Sequence, residues 1–228
     1  MRSQWDCLRR NLGCWQGSFA TYDPAGQWQS EIPSVVSLTE TERGIRQEIR
    51  LGDRERVLEF ATLSRQVLFF ENGDFCQASL QFAPVAEFGI EFGFLETSER
   101  LRLVPLFQGS ALQQITLIAE HATGTNPQDR LNLPNTDLSD QRWQQQSITL
   151  YPDWRSPDPV HYREGPLPEP TLVLPRGATL TYPIPIPHRQ PFAIAAGWHI
   201  TPQHHRRLIC TYDGRGGWES CTQVSSHR

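Results

Sequence analysis

Two stretches of this chain carry matching residues in the same order, and that repetition constrains the fold more than any other feature. Arg102-Leu103-Val104 is followed by Phe107, Gly109, Leu112, Thr116, Ile118 and His121. Arg207-Leu208-Ile209 is followed by Tyr212, Gly214, Trp218, Thr222, Val224 and His227. The copies keep step up to the turn, and the second runs one residue longer through it, as a hairpin loop allows. The beginnings match too: Trp15-Gln16 precedes Ser18 and Tyr22-Asp23, and Trp143-Gln144 precedes Ser147, Tyr151 and Asp153. Matches at both ends, in the same order, read as duplication of one supersecondary unit. A chain of 228 residues has room for two such units, each able to hold a core. The expected organisation is an N-terminal unit over 1–125, a polar Asn/Pro/Asp-rich linker over 126–142 and a smaller C-terminal unit over 143–228.

The pattern inside the units is β. Ser3 with Asp6 resembles a capping box, and Trp5, Leu8 and Leu12 follow at helical spacing, so a short helix opens the chain. Beyond Gly13, short apolar segments alternate with turn sequences such as Asp23-Pro24-Ala25-Gly26 and Glu71-Asn72-Gly73-Asp74. Many short strands with turn signals between them predict a sandwich or barrel. Phe88 to Phe94 is the clearest strand. Phe88, Ile90, Phe92 and Phe94 share one face, while Gly89, Glu91 and Gly93 share the other. The glycine face reads as solvent surface, the alternative being close approach of another backbone. Tyr182 to Pro187 alternates proline with other residues, which predicts an edge strand whose outer side cannot pair. The second barrel would be open there; a polyproline-type recognition segment is the other reading.

A small barrel must bring its first strand against its last. A Trp on the first strand can plug one end, and an Arg on a late strand can lie over the indole for ~0.5–2 kcal/mol. The expected pairs are Trp15 with Arg102, and Trp143 with Arg207 or Arg206, with Trp198 as a further lining residue.

Other features bear on chemistry. Net charge is −4, which argues against general nucleic-acid binding. All 21 basic residues are Arg, so Schiff-base and phosphate-loop lysines are excluded. The five cysteines form no CxxC, and neither a disulfide framework nor a zinc site is indicated. Cys210 and Cys221 read as two buried thiols facing each other across a hairpin. No run is apolar and long enough for a membrane helix, and no signal peptide is evident. Neither Gly-x-Ser-x-Gly nor a phosphate loop occurs. The carboxylates around Asp153, Asp158, Glu164 and Glu169 read as partners of Arg155 and Arg163. His199, His204 and His205 read as a polar hairpin. No cofactor and no metal is expected. Trp154 and Arg155 in the Tyr-Pro-Asp-Trp-Arg loop are the candidate protein contacts, because Trp and Arg dominate binding hot spots; the alternative is a loop pinned by Trp154.

Gly13-Cys14-Trp15 with a late-strand Arg resembles the calycin pattern of lipocalins and their relatives. The C-terminal residues Gly197-Trp198, Pro202, Arg206-Arg207-Leu208-Ile209, Tyr212-Asp213, Gly217-Trp218, Ser220 and Thr222, with Leu150 to Arg155, carry a closer resemblance. They are similar to a cyanobacterial and plastid family of calycin-like proteins that includes the chloroplast ATP-synthase biogenesis factor one. The resemblance implies two lipocalin-like antiparallel barrels, a photosynthetic host, a location in the cytosol or at the thylakoid periphery, and a non-catalytic role in assembling the F1 part of ATP synthase through protein contacts. It carries over no catalytic residue. Distant calycin relatives include S-type bilin lyases, so the second expectation is a hydrophobic or tetrapyrrole ligand in one barrel, with bilin-lyase chemistry as a third.

Overall fold

The Ser3 hydroxyl accepts from the Asp6 amide at 3.1 Å and donates to its carboxylate at 2.6 Å, which starts helix α1 (Gln4–Leu8). The computed structural model describes residues 2–125, 143–164 and 172–228, and the expected linker over 126–142 and Glu169 lie outside them. Gln4 ties α1 down: its side-chain amide bonds both the N–H and the C=O of Phe69, at 2.7 and 2.8 Å.

Antiparallel strands follow in two sheets. The first contains β1 (Gly13–Tyr22), β2 (Trp28–Thr41), β3 (Gly44–Leu51), β4 (Arg54–Phe60), β5 (Val67–Phe69), β6 (Phe75–Ala78), β7 (Glu87–Glu96), β8 (Glu99–Gln108) and β9 (Ala111–Ala122). Their order is β4-β3-β2-β1-β9-β8-β7-β6-β5, a half-barrel in which the described end strands β4 and β5 share no ladder. The second contains β10 (Trp143–Leu150), β11 (Val160–Glu164), β12 (Leu172–Val173), β13 (Ala178–Thr181), β14 (Phe192–Thr201), β15 (His204–Tyr212) and β16 (Trp218–His227). Its order, β11-β10-β16-β15-β14-β13-β12, makes a separate open sheet.

The repeat is visible in the register. On the first sheet Arg102 lies opposite Gly93 on one side and Ile118 on the other. On the second, Arg207 lies opposite Gly197 and Val224. In each sheet the Trp-bearing strand pairs with the last strand, β1 with β9 and β10 with β16.

The apolar face of β7 is not a barrel lining. Phe88, Ile90, Phe92 and Phe94 join Leu101, Leu103 and Phe107 of β8 in one core with Ile194, Trp198, Leu208, Cys210 and Tyr212 of the second sheet. Phe88 meets Tyr212 edge-on at 5.1 Å, and Phe192 stacks on Tyr212 at 4.9 Å. Each fully buried aromatic stabilises the packed state by roughly 1.5–3 kcal/mol. Backbone bonds stitch the halves: Phe82 N to Gly216 O at 2.7 Å and Trp218 N to Leu80 O at 2.9 Å.

With the phenylalanines turned toward the second sheet, the opposite face of β7 lines the interior of the first half-barrel. The expectation of a solvent-facing glycine surface is therefore corrected. A Cβ at Gly93 would collide with the Phe75 ring, and Glu91 bonds Arg102 at 2.9 Å.

The proline run also differs from expectation. β13 ends at Thr181, and Tyr182 to Pro187 forms no strand. It crosses to the first half instead: Ile186 is buried in the shared core, its amide bonds Ser110 O at 3.2 Å, and Tyr182 packs edge-on to Phe107. Prolines that cannot donate to a ladder serve here as a strap.

Candidate functional site

The alternation of the first sheet turns one face inward all the way round. Phe19, Ile49, Leu58, Phe60, Phe75 and Ile118 are among the side chains surrounding a cavity of about 1030 Å³. That is at the upper end of small-molecule sites, ~300–1,000 Å³, and the mix of apolar walls with a few polar groups is typical of them. Leu8 and Asn11, from α1 and the turn after it, also line the cavity. The Asn11 side-chain amide donates to Gly73 O at 2.8 Å, and the Asn11 backbone carbonyl accepts from the Trp15 indole at 3.0 Å.

The buried end of the cavity carries four charges. Glu120 accepts from Arg100 Nε at 2.7 Å and from Arg102 Nη2 at 3.0 Å, and Arg102 Nη1 reaches Glu91 at 2.9 Å. Burial disfavours the charges of Arg100, Arg102 and Glu120, and the contacts decide the outcome. Against burial, Arg102 and Arg100 hold the Glu120 carboxyl below its ordinary range. Burial likewise opposes the Arg102 cation, yet Glu120 and Glu91 more than offset it and push its pKa up. At Arg100 burial prevails over Glu120 and the pKa falls. Its Nη2 is buried with no hydrogen-bond partner among the described residues. Glu91 and Glu120, without which the arginines could not be buried, gave no signal in the sequence.

The anticipated Trp15–Arg102 pair is shifted by one inward position. Arg100 lies over the Trp15 ring at 4.7 Å, and Arg102 lies over Phe19 at 5.3 Å. Register explains the shift. Phe19, Ile118 and Arg102 form one row across β1, β9 and β8, and Gly17, Glu120 and Arg100 form the next. Gly17 puts no side chain into its row, which leaves Arg100 beside Trp15.

In the second half, Arg207 is half-buried on β15 and Trp143 fully buried on β10. Trp198 faces the shared core beside Phe94, with Arg206 over its ring at 5.9 Å. The row matching Gly17, Glu120 and Arg100 holds Gln145, Ser226 and His205. Trp143 Nε1, Gln145 Nε2, Ser226 Oγ and His205 Nδ1 are all buried in this region without a hydrogen-bond partner among the described residues. The His205 ring lies against that of His199, with centroids 4.2 Å apart and planes tilted by 36°, so the histidines are not a mere polar hairpin. Burial, then the nearby Arg207, pulls His199 down to about 4.

Trp154 is 42% exposed. The loop is held by other residues: Asp153 pairs with Arg155 at 2.6 Å, and Arg155 lies over Tyr151 at 5.1 Å.

Cys210 and Cys221 face each other in register, as expected, and Cys76 of the first half joins them. Their three sulfurs lie within 4.8 Å of one another and are the described residues best placed to hold a metal ion. They are enclosed by the core, where burial pushes Cys76 and Cys210 well up and keeps them protonated. A grouping drawn from both halves has no CxxC signature.

A half-barrel with a lined interior, followed by a second antiparallel sheet in which the Trp-bearing first strand again pairs with the last, defines a calycin-like β-protein. Residues 1–125 match the family model described as Domain of unknown function (DUF3598), N-terminal, and residues 158–228 match Biogenesis factor required for ATP synthase 1, C-terminal domain. The chain belongs to the DUF3598 family. It is similar over its whole length to a solved DUF3598 family protein from Nostoc punctiforme, with 29% identity, 100% of each chain covered and a TM-score of 0.88. An S-type phycobiliprotein lyase from Guillardia theta shares 14% identity over 52% of this chain and 92% of its own, with a TM-score of 0.37. No curated protein matches the chain. No described helix is long and apolar enough to cross a membrane.

Proposed function

We propose that this protein acts by binding, as a non-catalytic assembly factor for a photosynthetic-membrane complex, the F1 part of ATP synthase, in the cytosol or at the thylakoid periphery. The observation that carries the reading is the match of residues 158–228 to the C-terminal domain of an ATP-synthase biogenesis factor. Trp154 and Arg155 are the proposed contact, because an exposed indole on a loop braced by its neighbours loses little freedom on docking. A tagged full chain, expressed in a cyanobacterium and recovered with mild cross-linking, is expected to bring down F1 subunits. Recovery without any F1 subunit contradicts the proposal.

A second reading rests on the cavity of about 1030 Å³. It makes the first half a carrier of a hydrophobic or tetrapyrrole ligand, with bilin-lyase-like action as its extension. Native mass spectrometry of protein purified from a pigmented host is expected to show a bound mass that denaturation releases. A bare mass under conditions that keep the fold argues against it.

A further inference from the structure

The charges facing the first cavity do not balance, and their distribution names the chemistry of a ligand. On the outer face of β3 and β4 every arginine has an acid: Arg46 bonds Glu48 and Glu59, and Arg50 lies 3.8 Å from Glu55. On the inner face of β4, Arg54 and Arg56 and then Leu58 and Phe60 occupy successive positions along the cavity wall. Neither arginine has a carboxylate partner among the described residues. Glu55 also borders the cavity, and its carboxylate is the one already beside Arg50. At the buried end Arg100 and Arg102 are matched by Glu91 and Glu120. That cluster is neutral, yet it leaves Arg100 Nη2 without an acceptor. A chain of net charge −4 therefore presents a cationic surplus at the rim of a largely apolar cavity.

A buried N–H with nothing to donate to costs free energy, about 1–3 kcal/mol or more on a charged group. An incoming carboxylate oxygen removes that cost. Arginine's planar fork suits such an acceptor, and the exposed Arg54 and Arg56 raise the local concentration of anions at the rim. A purely apolar ligand would gain from the walls but leave both features unused.

We propose that the cavity takes an amphipathic carboxylate: an apolar body along the Phe19, Ile49, Phe60 and Ile118 walls, with its acid group held by Arg100 Nη2 and drawn in by Arg54 and Arg56. The proposal rests on the reading that the first half carries a ligand, and it adds that the ligand is an anion.

The test is calorimetric titration of the full chain with dodecanoate and with dodecan-1-ol, which share a body and differ in charge. Dodecanoate should bind at least ~10-fold more tightly, a factor equivalent to ~1.4 kcal/mol, with the advantage shrinking as salt rises. The double variant Arg54→Gln, Arg56→Gln changes only exposed side chains and keeps the fold. It should weaken dodecanoate several-fold and leave dodecanol unchanged. Arg100→Gln should remove most of the preference; should it fail to fold, the double variant decides. Ile49→Trp, which puts a larger ring into one wall of the cavity, should weaken binding of both. Equal affinity for acid and alcohol overturns the anionic ligand while the carrier reading stands. Binding of neither overturns both, and dodecanoate affinity left unchanged by Ile49→Trp overturns the site.

Discussion

Arg206 on β15 donates to the carboxylate of Asp74 at 2.8 Å, joining the second sheet to the turn between β5 and β6 of the first. The same guanidinium reaches Leu95 O at 3.0 Å and pairs with Glu96. Asp74 also accepts from the Leu95 amide at 2.8 Å and from Gln223 at 2.7 Å. One buried carboxylate thus ties together β7, β15 and β16. Replacing Arg206 by Met keeps the volume and leaves Asp74 without its cation. Breaking a buried pair costs ~3–5 kcal/mol, and urea unfolding at neutral pH should show a loss of that order. A loss under about 1 kcal/mol would place the pair at the level of a surface contact.

Glu120 is expected to matter as much. Glu120→Gln leaves Arg100 and Arg102 buried against Glu91 alone. The expected loss is again ~3–5 kcal/mol, measured by the urea midpoint. A double variant, Glu120→Gln with Arg100→Met, should recover part of it, because one buried cation is removed with the anion.

The buried histidines set a pH window. His199 is held at about 4 and His205 well below 6.5, first by burial and then, for His199, by Arg207 and, for His205, by His199. Below 6.5 the unfolded chain takes up protons that the folded one refuses. Stability from these two groups is complete above 6.5 and declines as pH falls from 6.5 toward 4. Ordinary carboxylates, with pKa values of about 3.9 and 4.3, titrate mostly below pH 5. The urea midpoint should therefore drop between pH 7 and pH 5, and His205→Gln should flatten that drop. A flat profile in the unsubstituted protein would contradict the placement of the two rings.

Thiol accessibility checks the shared core. Cys7, Cys76, Cys210 and Cys221 are buried and Cys14 is partly exposed. With excess aromatic disulfide reagent one thiol should react quickly in the native protein, and all five in denaturant. Rapid native reaction of Cys76 or Cys210 would mean that the halves part readily.

The repeat was legible because the residues that follow Arg102 and Arg207 keep both identity and spacing along a hairpin, and because Trp15 and Trp143 each open a matching strand. The strand periods were legible for the same local reason. The use of each face was not. Alternation says that Phe88 to Phe94 has one apolar side, but nothing local says whether that side lines a lumen or meets a second sheet. That ambiguity misassigned the glycine face. Arg100 was passed over in favour of Arg102 because the row occupied by Gly17 is set by pairing with β9, a partner far away in the chain. Glu91, Glu120 and Cys76 carry no motif; their roles exist only once distant strands are brought together. At Tyr182 to Pro187 the alternation was real, but prolines that cannot join a ladder left the sheet altogether.

The most direct test of the proposed function is co-elution of the purified full chain with isolated F1 subunits on a sizing column, with Trp154→Ala as the contrast. Trp154 is exposed, so the variant should fold with stability within about 0.5 kcal/mol of the parent. The assembly reading predicts a shared peak for the parent that is lost or much reduced for Trp154→Ala, a change of ~2 kcal/mol or more for a hot spot. Separate elution of the parent from every F1 subunit would contradict it.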